Sequence, residues 1–535
     1  MRFLQKELPH LEMAKIRKFP ERKICQLCDY CQTTIFSGFW MCCVCGREYC
    51  LSCYEEWNDS DDSLKETRKC SQKRHHYKEQ LVPIYHYTKE EIVRLFDQCN
   101  QMILDDEDSS DLDEGELPDD DAANLSAESS SSTIKSVESS RVMTRRRKDS
   151  RKYRTSKSKA KATTVHFKDS VVSISNQDNG IFTSPPQDCH DRTPQLHDEH
   201  KKTEYKANEM TEEIFRDLWR KGYPFVIKSV DKLKENIWKP DYFIKHYGNK
   251  DCTVIDVKEN VEYKMDVKTF FRGFEDSSKR FMNKYGTYPC LKLKDWPPAD
   301  DFAETFPEHY EDFSNSLPFK EYTTRNGIMN LAHRLPLEIN RPDLGPKMYN
   351  AYGSEDNVGG KGTTNLHLDM TDAVNMMAYA PSVENRLEEE RDKPAAAVWD
   401  LYHPADLPRV RRFLRKIAKE YGLSINHPIH DQCFYLDKGL RDRLAAEEGV
   451  TGWRFFQNPG DVIFVPAGCA HQVCNYTSCI KTAVDFVSPE GVARSYIVNQ
   501  QFRKLRNGHK RKIDILQLPN ILYHAWVTSW DESSD

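Results

Sequence analysis

The 535-residue sequence has no apolar stretch of the roughly 18 residues that a membrane-spanning helix needs, so we expect no transmembrane segment. Its first residues, MRFLQKELPHLEMAKIRK, carry scattered charges and no apolar run, unlike a secretory signal. No strong excess of one charge exists either, because 78 basic residues face 84 acidic ones, a net charge of −6. This balance excludes a simple basic nucleic-acid binder as a description of the whole chain. We expect a soluble intracellular protein of about three or four domains.

Cysteine is sparse over most of the chain, but ten of the 17 cysteines fall between residues 25 and 99. Without a secretory signal, such a cluster indicates metal ligands rather than disulfides, because the cytosol and nucleus keep thiols reduced. Three Cys-x2-Cys pairs, one more cysteine and one histidine supply eight ligands, enough for two closed structural zinc sites. We expect the first and third pairs to share one ion, and the second pair to share the other with Cys70 and either His75 or His76. The predicted zinc ligands are Cys28, Cys31, Cys42, Cys45, Cys50, Cys53, Cys70 and His76.

Aromatic residues are nearly absent from residues 104–205, which therefore offer too little apolar surface to offset chain entropy. An acidic tract from Asp105 to Asp121 comes first, and a basic run from Arg141 to Lys161 follows. The composition predicts a disordered linker. The basic run is typical of a nuclear localisation signal or of a patch that contacts DNA phosphates, and equally of a solvated, charge-balanced linker.

The linker separates two folded parts, a zinc-finger module at 20–103 and a larger domain at 206–530. The module ends in a predicted helix, where Thr88 and Glu91 form a capping box. The larger domain opens with an amphipathic helix over Glu212 to Lys221. Beyond residue 360, short apolar runs between Pro, Gly and Asn punctuation predict strands, which favours a mainly β sandwich or barrel with added helices. The predicted strands are Ala373–Ala380, Ala396–Tyr402, Trp453–Phe456, Val462–Val465 and Ile480–Val487.

One candidate catalytic centre combines His367 and Asp369 with His471. On a strand, residues two apart point to the same side, so the first two could bind one ion together. About a hundred residues later, an apolar strand ends in a turn that presents His471. Two histidines and one carboxylate form the facial triad of non-haem Fe(II) oxygenases, which leaves coordination positions open for a cosubstrate and O₂. Each of these residues alone would more often be structural than a ligand.

An acidic cosubstrate such as 2-oxoglutarate needs a cationic anchor, and Lys481 lies ten residues past His471. If the two strands pair as a hairpin, this even separation places the lysine on the side that faces the metal. An inward lysine in an apolar strand is costly unless it meets an anion. Thr364 and Asn375, expected on the strand that carries His367, could complete the hydrogen bonding. A lysine that snorkels at the barrel rim and a turn-capping threonine are the alternatives.

Several motifs of this domain resemble those of the JmjC (jumonji) histone lysine demethylases, in the branch that acts on mono- and dimethylated lysine nine of histone H3. The resemblance covers residues 211 to 530 and extends to the cysteine module, which is similar to the zinc finger ahead of that branch's catalytic domain. The family's commonest lysine position is occupied here by Ala396–Trp399, so Lys481 rests on spacing and burial alone. The motifs are TTNLHLDMTDAVNMMAY, LPLEINRPDLGPKMYNAYG, LKLKDWPPADDF, HPIHDQCFYLD and GWRFFQNPGDVIFVPAGCAHQVCNYTSCIKTAVDFVSPEGV.

The resemblance implies a double-stranded β-helix (jelly-roll) domain that holds Fe(II) and 2-oxoglutarate. The family's metal triad falls on His367, Asp369 and His471, and its asparagine falls on Asn375. It further implies an oxidoreductase, a dioxygenase of the nucleus that demethylates histone H3 in the nucleosome and regulates chromatin and transcription. DNA contact through the basic linker or the zinc module is a further expected interaction. A protein hydroxylase on the same fold and a catalytically silent chromatin scaffold are the alternatives.

Overall fold

The computed structural model describes residues 2–20, 24–57, 77–108, 202–230, 233–274, 276–298, 300–386 and 388–534. The acidic tract and the basic run therefore lie almost wholly outside the described residues. The described residues up to Asp105 and from Lys202 onward belong to one compact unit. Among them, no helix has both the length and the apolar character to cross a membrane.

The N-terminal module is built on a four-stranded sheet with the strand order β1-β4-β2-β3, in which only the β1–β4 pair is parallel. Two helices flank the sheet, and a short helix follows its third strand. The elements are α1 (Arg2–Met13), β1 (Ile16–Arg17), β2 (Phe39–Cys42), β3 (Glu48–Cys50), α2 (Leu51–Glu55), β4 (Leu81–Tyr85) and α3 (Lys89–Asp108).

The helix α3 begins as the sequence predicts. The Glu91 N–H donates to Thr88 Oγ1 at 3.2 Å, and the Thr88 N–H donates to Glu91 Oε2 at 2.5 Å, which confirms the capping box. The helix α1 precedes the predicted start of the module at residue 20. Its Leu4 packs in one apolar cluster with Phe36 and Ile92, so these first residues are part of the same core.

Two facing sheets form the larger domain. The long sheet has the order β5-β6-β15-β12-β17-β10-β9-β7-β8, and the short one has the order β11-β16-β13-β14. This arrangement is the sheet-rich jelly roll that the resemblance implied. The strands are β5 (Glu204–Lys206), β6 (Phe225–Lys228), β7 (Asp251–Asp256), β8 (Val261–Asp266), β9 (Leu291–Trp296), β10 (Lys347–Ala351), β11 (Thr364–His367), β12 (Asp372–Tyr379), β13 (Ala397–Tyr402), β14 (Trp453–Gln457), β15 (Val462–Val465), β16 (Ala470–Asn475) and β17 (Cys479–Phe486).

Helices cover the outer surfaces of both sheets. The first begins at Glu212 as predicted, where the Thr211 hydroxyl accepts the Ile214 N–H, and it ends one residue early at Arg220. The helices are α4 (Glu212–Arg220), α5 (Glu235–Trp238), α6 (Pro240–Tyr247), α7 (Val267–Arg272), α8 (Phe302–Thr305), α9 (Pro307–Ser316), α10 (Lys320–Thr323), α11 (Leu407–Glu420), α12 (Lys438–Glu448), α13 (Val492–Arg503) and α14 (Leu518–Ser534).

The apolar core has three layers, because helices pack on the outer surface of each sheet and the two sheets face each other. One large aromatic cluster packs α4 to α9 against the long sheet, and a second packs α11 to α14 against the short sheet. A smaller cluster, which includes Trp399, Phe455 and Val465, lies between the sheets. The interior between the sheets is therefore only partly filled with apolar side chains, and the candidate polar site lies in this layer.

Two local predictions about strand pairing are wrong. The strands β16 and β17 do not form a hairpin, because β16 belongs to the short sheet and β17 to the long one. Thr364 and Asn375 do not share a strand either, since the first lies on β11 and the second on β12. The reason is the jelly-roll topology, in which the chain from β10 to β17 crosses between the sheets after every strand except β13.

Candidate metal and cosubstrate site

Three side chains with metal-ligating atoms meet at the end of the short sheet. His367 is the last residue of β11, and it lies directly opposite His471 of β16. Asp369 follows just past the strand, not on it. Its Oδ2 atom lies 3.7 Å from His367 Nε2 and 3.8 Å from His471 Nε2. The three ligand atoms all lie within 4.8 Å of one another, so one ion between them could contact all three.

Both imidazole rings are held in the orientation that a metal site requires. His367 Nδ1 lies 2.8 Å from the Asn365 carbonyl oxygen, and His471 Nδ1 lies 3.1 Å from the Cys469 carbonyl oxygen. A carbonyl can only accept, so each Nδ1 carries the hydrogen and each Nε2 presents a lone pair towards Asp369. Backbone partners of this kind commonly fix metal-binding histidines.

The charge states suit a divalent cation. Burial and the neighbouring His471 lower the pKa of His367 to about 3, so its imidazole is neutral at neutral pH. Burial opposes ionisation of Asp369, but the nearby His367 and the Arg511 guanidinium outweigh it and hold the pKa of that carboxyl at about 2. A neutral imidazole and an ionised carboxylate are the forms that bind metal. The residues present therefore fit an iron ion.

A β-bulge aims a fourth residue at the same interior. Thr364 lies opposite Val473 and His367 lies opposite His471, so three steps along β11 correspond to two along β16. The extra residue lets Thr364 and His367 point to the same side, although an odd number of residues separates them. Bulges are frequent next to active sites, where they redirect a side chain.

Lys481 lies on β17 with its side chain between the sheets, because its ammonium nitrogen is 5.3 Å from the centre of the Trp399 ring of β13. It is 4% exposed and has no ion pair in the described part of the chain. Burial lowers its pKa to about 8. A buried ammonium with only a ring face as partner is the chemistry expected of an anion site.

Asn375 faces the same interior, although it lies on a different strand from the predicted one. Asn375 pairs with Ala483, while Lys481 pairs with Met377, so the two polar side chains are diagonal neighbours on one face of the long sheet. The structure thus brings the three predicted cosubstrate residues to the interior faces of the two sheets, with Thr364 on the short sheet and the other two on the long one.

Four residues around this site escaped sequence reasoning. Tyr349 lies directly opposite Lys481 on β10, and Trp399 stacks within 5.9 Å of His471. Asp485 is four residues past Lys481 on β17, where burial and the charge of Asp369 raise its pKa to about 8. That even spacing was a signal that could have identified it. Arg511 donates to Asp369 Oδ1 at 3.4 Å, and no local pattern indicated it.

Four of the predicted zinc ligands also meet. Cys28, Cys31, Cys50 and Cys53 place their sulfur atoms within 4.8 Å of one another, which is the predicted sharing of one ion by the first and third pairs. Cys31 Sγ and Cys50 Sγ are 3.7 Å apart. Zn–S bonds of about 2.3 Å in a tetrahedron require about 3.8 Å between sulfurs, so the four thiols fit a zinc ion.

The second predicted zinc site lies partly outside the described residues, which do not include Cys70, His75 or His76. Its other two members, Cys42 and Cys45, lie within the module, and the first is buried while the second is exposed. Their assignment stays a prediction.

Comparison with known proteins agrees with this fold. A family model described as JmjC domain, hydroxylase matches residues 392–486, which include β13 to β17, His471 and Lys481. Residues 392–486 are therefore similar to a JmjC domain, which the family model describes as a hydroxylase domain.

Its relatives carry a more particular name. Lysine-specific demethylase 3A of Gallus gallus is 43% identical over 347 residues, which cover 59% of this chain and 26% of that protein. The Homo sapiens protein of the same name is 41% identical over 341 residues, covering 58% of this chain and 26% of that protein. Lysine-specific demethylase 3 of Drosophila melanogaster is 39% identical over 341 residues, 58% of this chain and 40% of that protein. The chain thus spans about a quarter of the length of the first two.

Proposed function

We propose that this protein is an Fe(II)- and 2-oxoglutarate-dependent dioxygenase that demethylates mono- and dimethylated lysine nine of histone H3. The observation that carries the proposal is the convergence of His367, Asp369 and His471 in a JmjC domain whose relatives are named lysine-specific demethylases. A domain without catalysis would gain nothing from two histidines held by backbone carbonyls around an ionised carboxylate.

Each residue of the candidate site would have a separate role in this reaction. His367, Asp369 and His471 would hold the iron and leave three positions free. Lys481 would bind the distal carboxylate of 2-oxoglutarate, assisted by Asn375 and Thr364, and Trp399 would keep that end of the cavity dry. When bound, iron would use O₂ and 2-oxoglutarate to hydroxylate the N-methyl carbon, with succinate and CO₂ formed from the cosubstrate, after which formaldehyde leaves the lysine.

The substrate ammonium would approach from the side of Tyr349 and Asp485, which lie on the interior face of the long sheet next to the triad. A phenol and a carboxyl can both accept hydrogen bonds from a methylammonium group. A histone substrate would require the protein to work in the nucleus, where the basic run 141–161 would act in targeting or in contact with DNA.

The test is mass spectrometry of an H3 tail peptide that carries dimethyl-lysine nine, after incubation with the protein, Fe(II), ascorbate and 2-oxoglutarate. We expect stepwise loss of methyl mass with one formaldehyde and one succinate per step. His367→Ala should abolish turnover with the fold intact. His246→Ala, which removes a ring stacked on Tyr242 of α6, is the matched control and should keep full activity.

The other outcomes separate the alternatives. Succinate without loss of methyl mass would retain the oxygenase and indicate a different substrate, as a protein hydroxylase would have. An iron-loaded protein that forms neither product would contradict the proposed catalysis and leave a scaffold role.

A further inference from the structure

The chain between α13 and α14, residues 503–514, joins the zinc-binding module to the larger domain. At its start, the Arg503 guanidinium donates two bonds to Glu56, at 2.8 and 3.0 Å. Its Nη2 also lies 3.4 Å from the sulfur of Cys53, one of the four clustered cysteines. Arg503 is buried and Glu56 is exposed, so this bidentate ion pair lies at the edge of the interface, and its two parallel bonds fix the direction of the guanidinium.

The end of the same segment is tied to the turn that follows Cys31. Asp514 donates its N–H to the Gln32 carbonyl at 2.9 Å, and its Oδ2 accepts the Thr34 N–H at 3.1 Å. The ammonium of Lys512 lies 5.4 Å from the Tyr30 ring and donates to the Leu505 carbonyl at 2.7 Å. These bonds hold the segment on the cysteine cluster at both ends.

Between these two anchors the segment reaches the candidate iron site. Arg511 donates to Asp369 Oδ1 at 3.4 Å, while Asp369 Oδ2 faces the two histidines. A second link runs beside it, because the Asn499 amide donates to Asp514 Oδ2 at 3.1 Å and lies 3.6 Å from the sulfur of Met370. One short stretch of chain therefore contacts Cys53 and the turn after Cys31 as well as the carboxylate of the triad.

We propose that Arg511 is a positioning residue for Asp369, and that the Cys28/Cys31/Cys50/Cys53 zinc site holds Arg511 in place through residues 503–514. The zinc-binding module then stabilises the iron site and does not act as an independent module that binds chromatin. This inference rests on the proposed metal site.

The physical reason is the orientation of the carboxylate. A bond from Arg511 to Oδ1 selects one rotamer and leaves Oδ2 as the single donor atom for iron. Partners that orient a metal ligand typically contribute about 10- to 100-fold in metal affinity. Charge alone would act in the opposite direction, because removing a nearby guanidinium should strengthen the binding of a cation. The sign of the effect therefore separates positioning from electrostatics.

The experiment measures binding of Mn(II) to the zinc-loaded full chain, by the loss of the free-ion electron paramagnetic resonance signal. We expect Arg511→Met to raise the Kd about tenfold and Arg511→Lys to recover part of the loss. Lys510→Met removes an exposed neighbouring charge and should leave the Kd unchanged. Unchanged or tighter binding in Arg511→Met would overturn the positioning role.

The link to the zinc site is tested at the interface. Glu56→Gln weakens the partner of Arg503, and we expect faster hydrogen exchange over residues 503–514 together with weaker Mn(II) binding. Glu55→Gln changes a side chain that pairs with the exposed Lys6, and it should change neither quantity. An unchanged Mn(II) affinity in Glu56→Gln would refute the support by the zinc-binding module.

His367→Ala separates the two proposals. If wild-type protein binds Mn(II) and His367→Ala does not, the metal site stands, and the Arg511 variants then decide the positioning role alone. If wild-type protein binds no Mn(II), the proposed function and this inference both fail.

Discussion

Replacing Lys481 with methionine should abolish cosubstrate binding and yet stabilise the protein that has no cosubstrate. Burial lowers the pKa of Lys481 from 10.5 to about 8. Because the folded-state pKa lies below the unfolded value, the charged lysine opposes folding. That cost is complete below pH 8 and vanishes as the pH rises towards 10.5.

The magnitude follows from these values. The lowered pKa corresponds to about 3 kcal/mol of folding free energy at neutral pH. The contact with the face of Trp399 returns about 1 kcal/mol. We therefore expect Lys481→Met to raise the free energy of unfolding at pH 7 by about 2 kcal/mol, measured by urea denaturation without 2-oxoglutarate.

The same variant should lose the stabilisation that 2-oxoglutarate confers on wild-type protein. Removing one partner of a buried charge pair costs about 2–5 kcal/mol, so the affinity for 2-oxoglutarate should fall at least about 30-fold in calorimetry. Lys292→Met is the control, because burial also lowers the pKa of Lys292 to about 8 while its ammonium donates to the Thr363 carbonyl at 3.0 Å. A Lys481→Met variant that is less stable than wild type and still binds 2-oxoglutarate would refute this account of Lys481.

Three further changes test other parts of the fold. Burial raises the pKa of Glu7, which accepts the Gly38 N–H, from 4.5 to about 8. Wild-type stability should therefore decline between pH 4.5 and 8, and Glu7→Gln should gain stability over wild type in urea denaturation at pH 8.5 but not at pH 4. Cys31→Ser removes one of four thiolates, so zinc content measured by atomic emission should fall by one ion per chain. A methyl group at Gly362, where φ is +54°, would lie 2.2 Å from the Tyr435 ring, so Gly362→Ala should lower the unfolding free energy by about 1–3 kcal/mol, and an unchanged value would contradict this packing.

Local patterns predicted much of the larger domain. The run Val462–Val465 is a strand with the predicted limits, because four apolar, mostly β-branched residues between Asp461 and Pro466 are typical of a short buried strand. The helix that begins at Glu212 could also be predicted from the sequence, because its capping residue and its apolar spacing are both local features. Spacing also predicted that each Cys-x2-Cys turn supplies two ligands to one ion, and the expected meeting of the first and third pairs is found in the structure.

Other features depend on contacts between distant parts of the chain. The hairpin assumed in placing Lys481 does not form, because β16 and β17 belong to different sheets. Lys481 nevertheless faces the interior. Alternation along a strand indicates which face a residue occupies, but it does not reveal which sheet the strand joins. Asp485 shares the face of Lys481, but its proximity to Asp369 exists only once the two sheets are stacked. Nothing near Arg511 in sequence points to Asp369, 142 residues earlier.

The sequence by itself therefore determined which groups are available: two imidazoles and a carboxylate that could bind iron, thiolates that could bind zinc, and a lysine that could bind an anion. Residue type and short spacing carry that information, because ligand identity and alternation are local properties. Only the tertiary structure decided which of these groups meet. The bulge that turns Thr364 inward depends on pairing between strands far apart in sequence. The contact of residues 503–514 with the cysteine module likewise joins distant parts of the chain. Such contacts are selected by the packing of the whole unit.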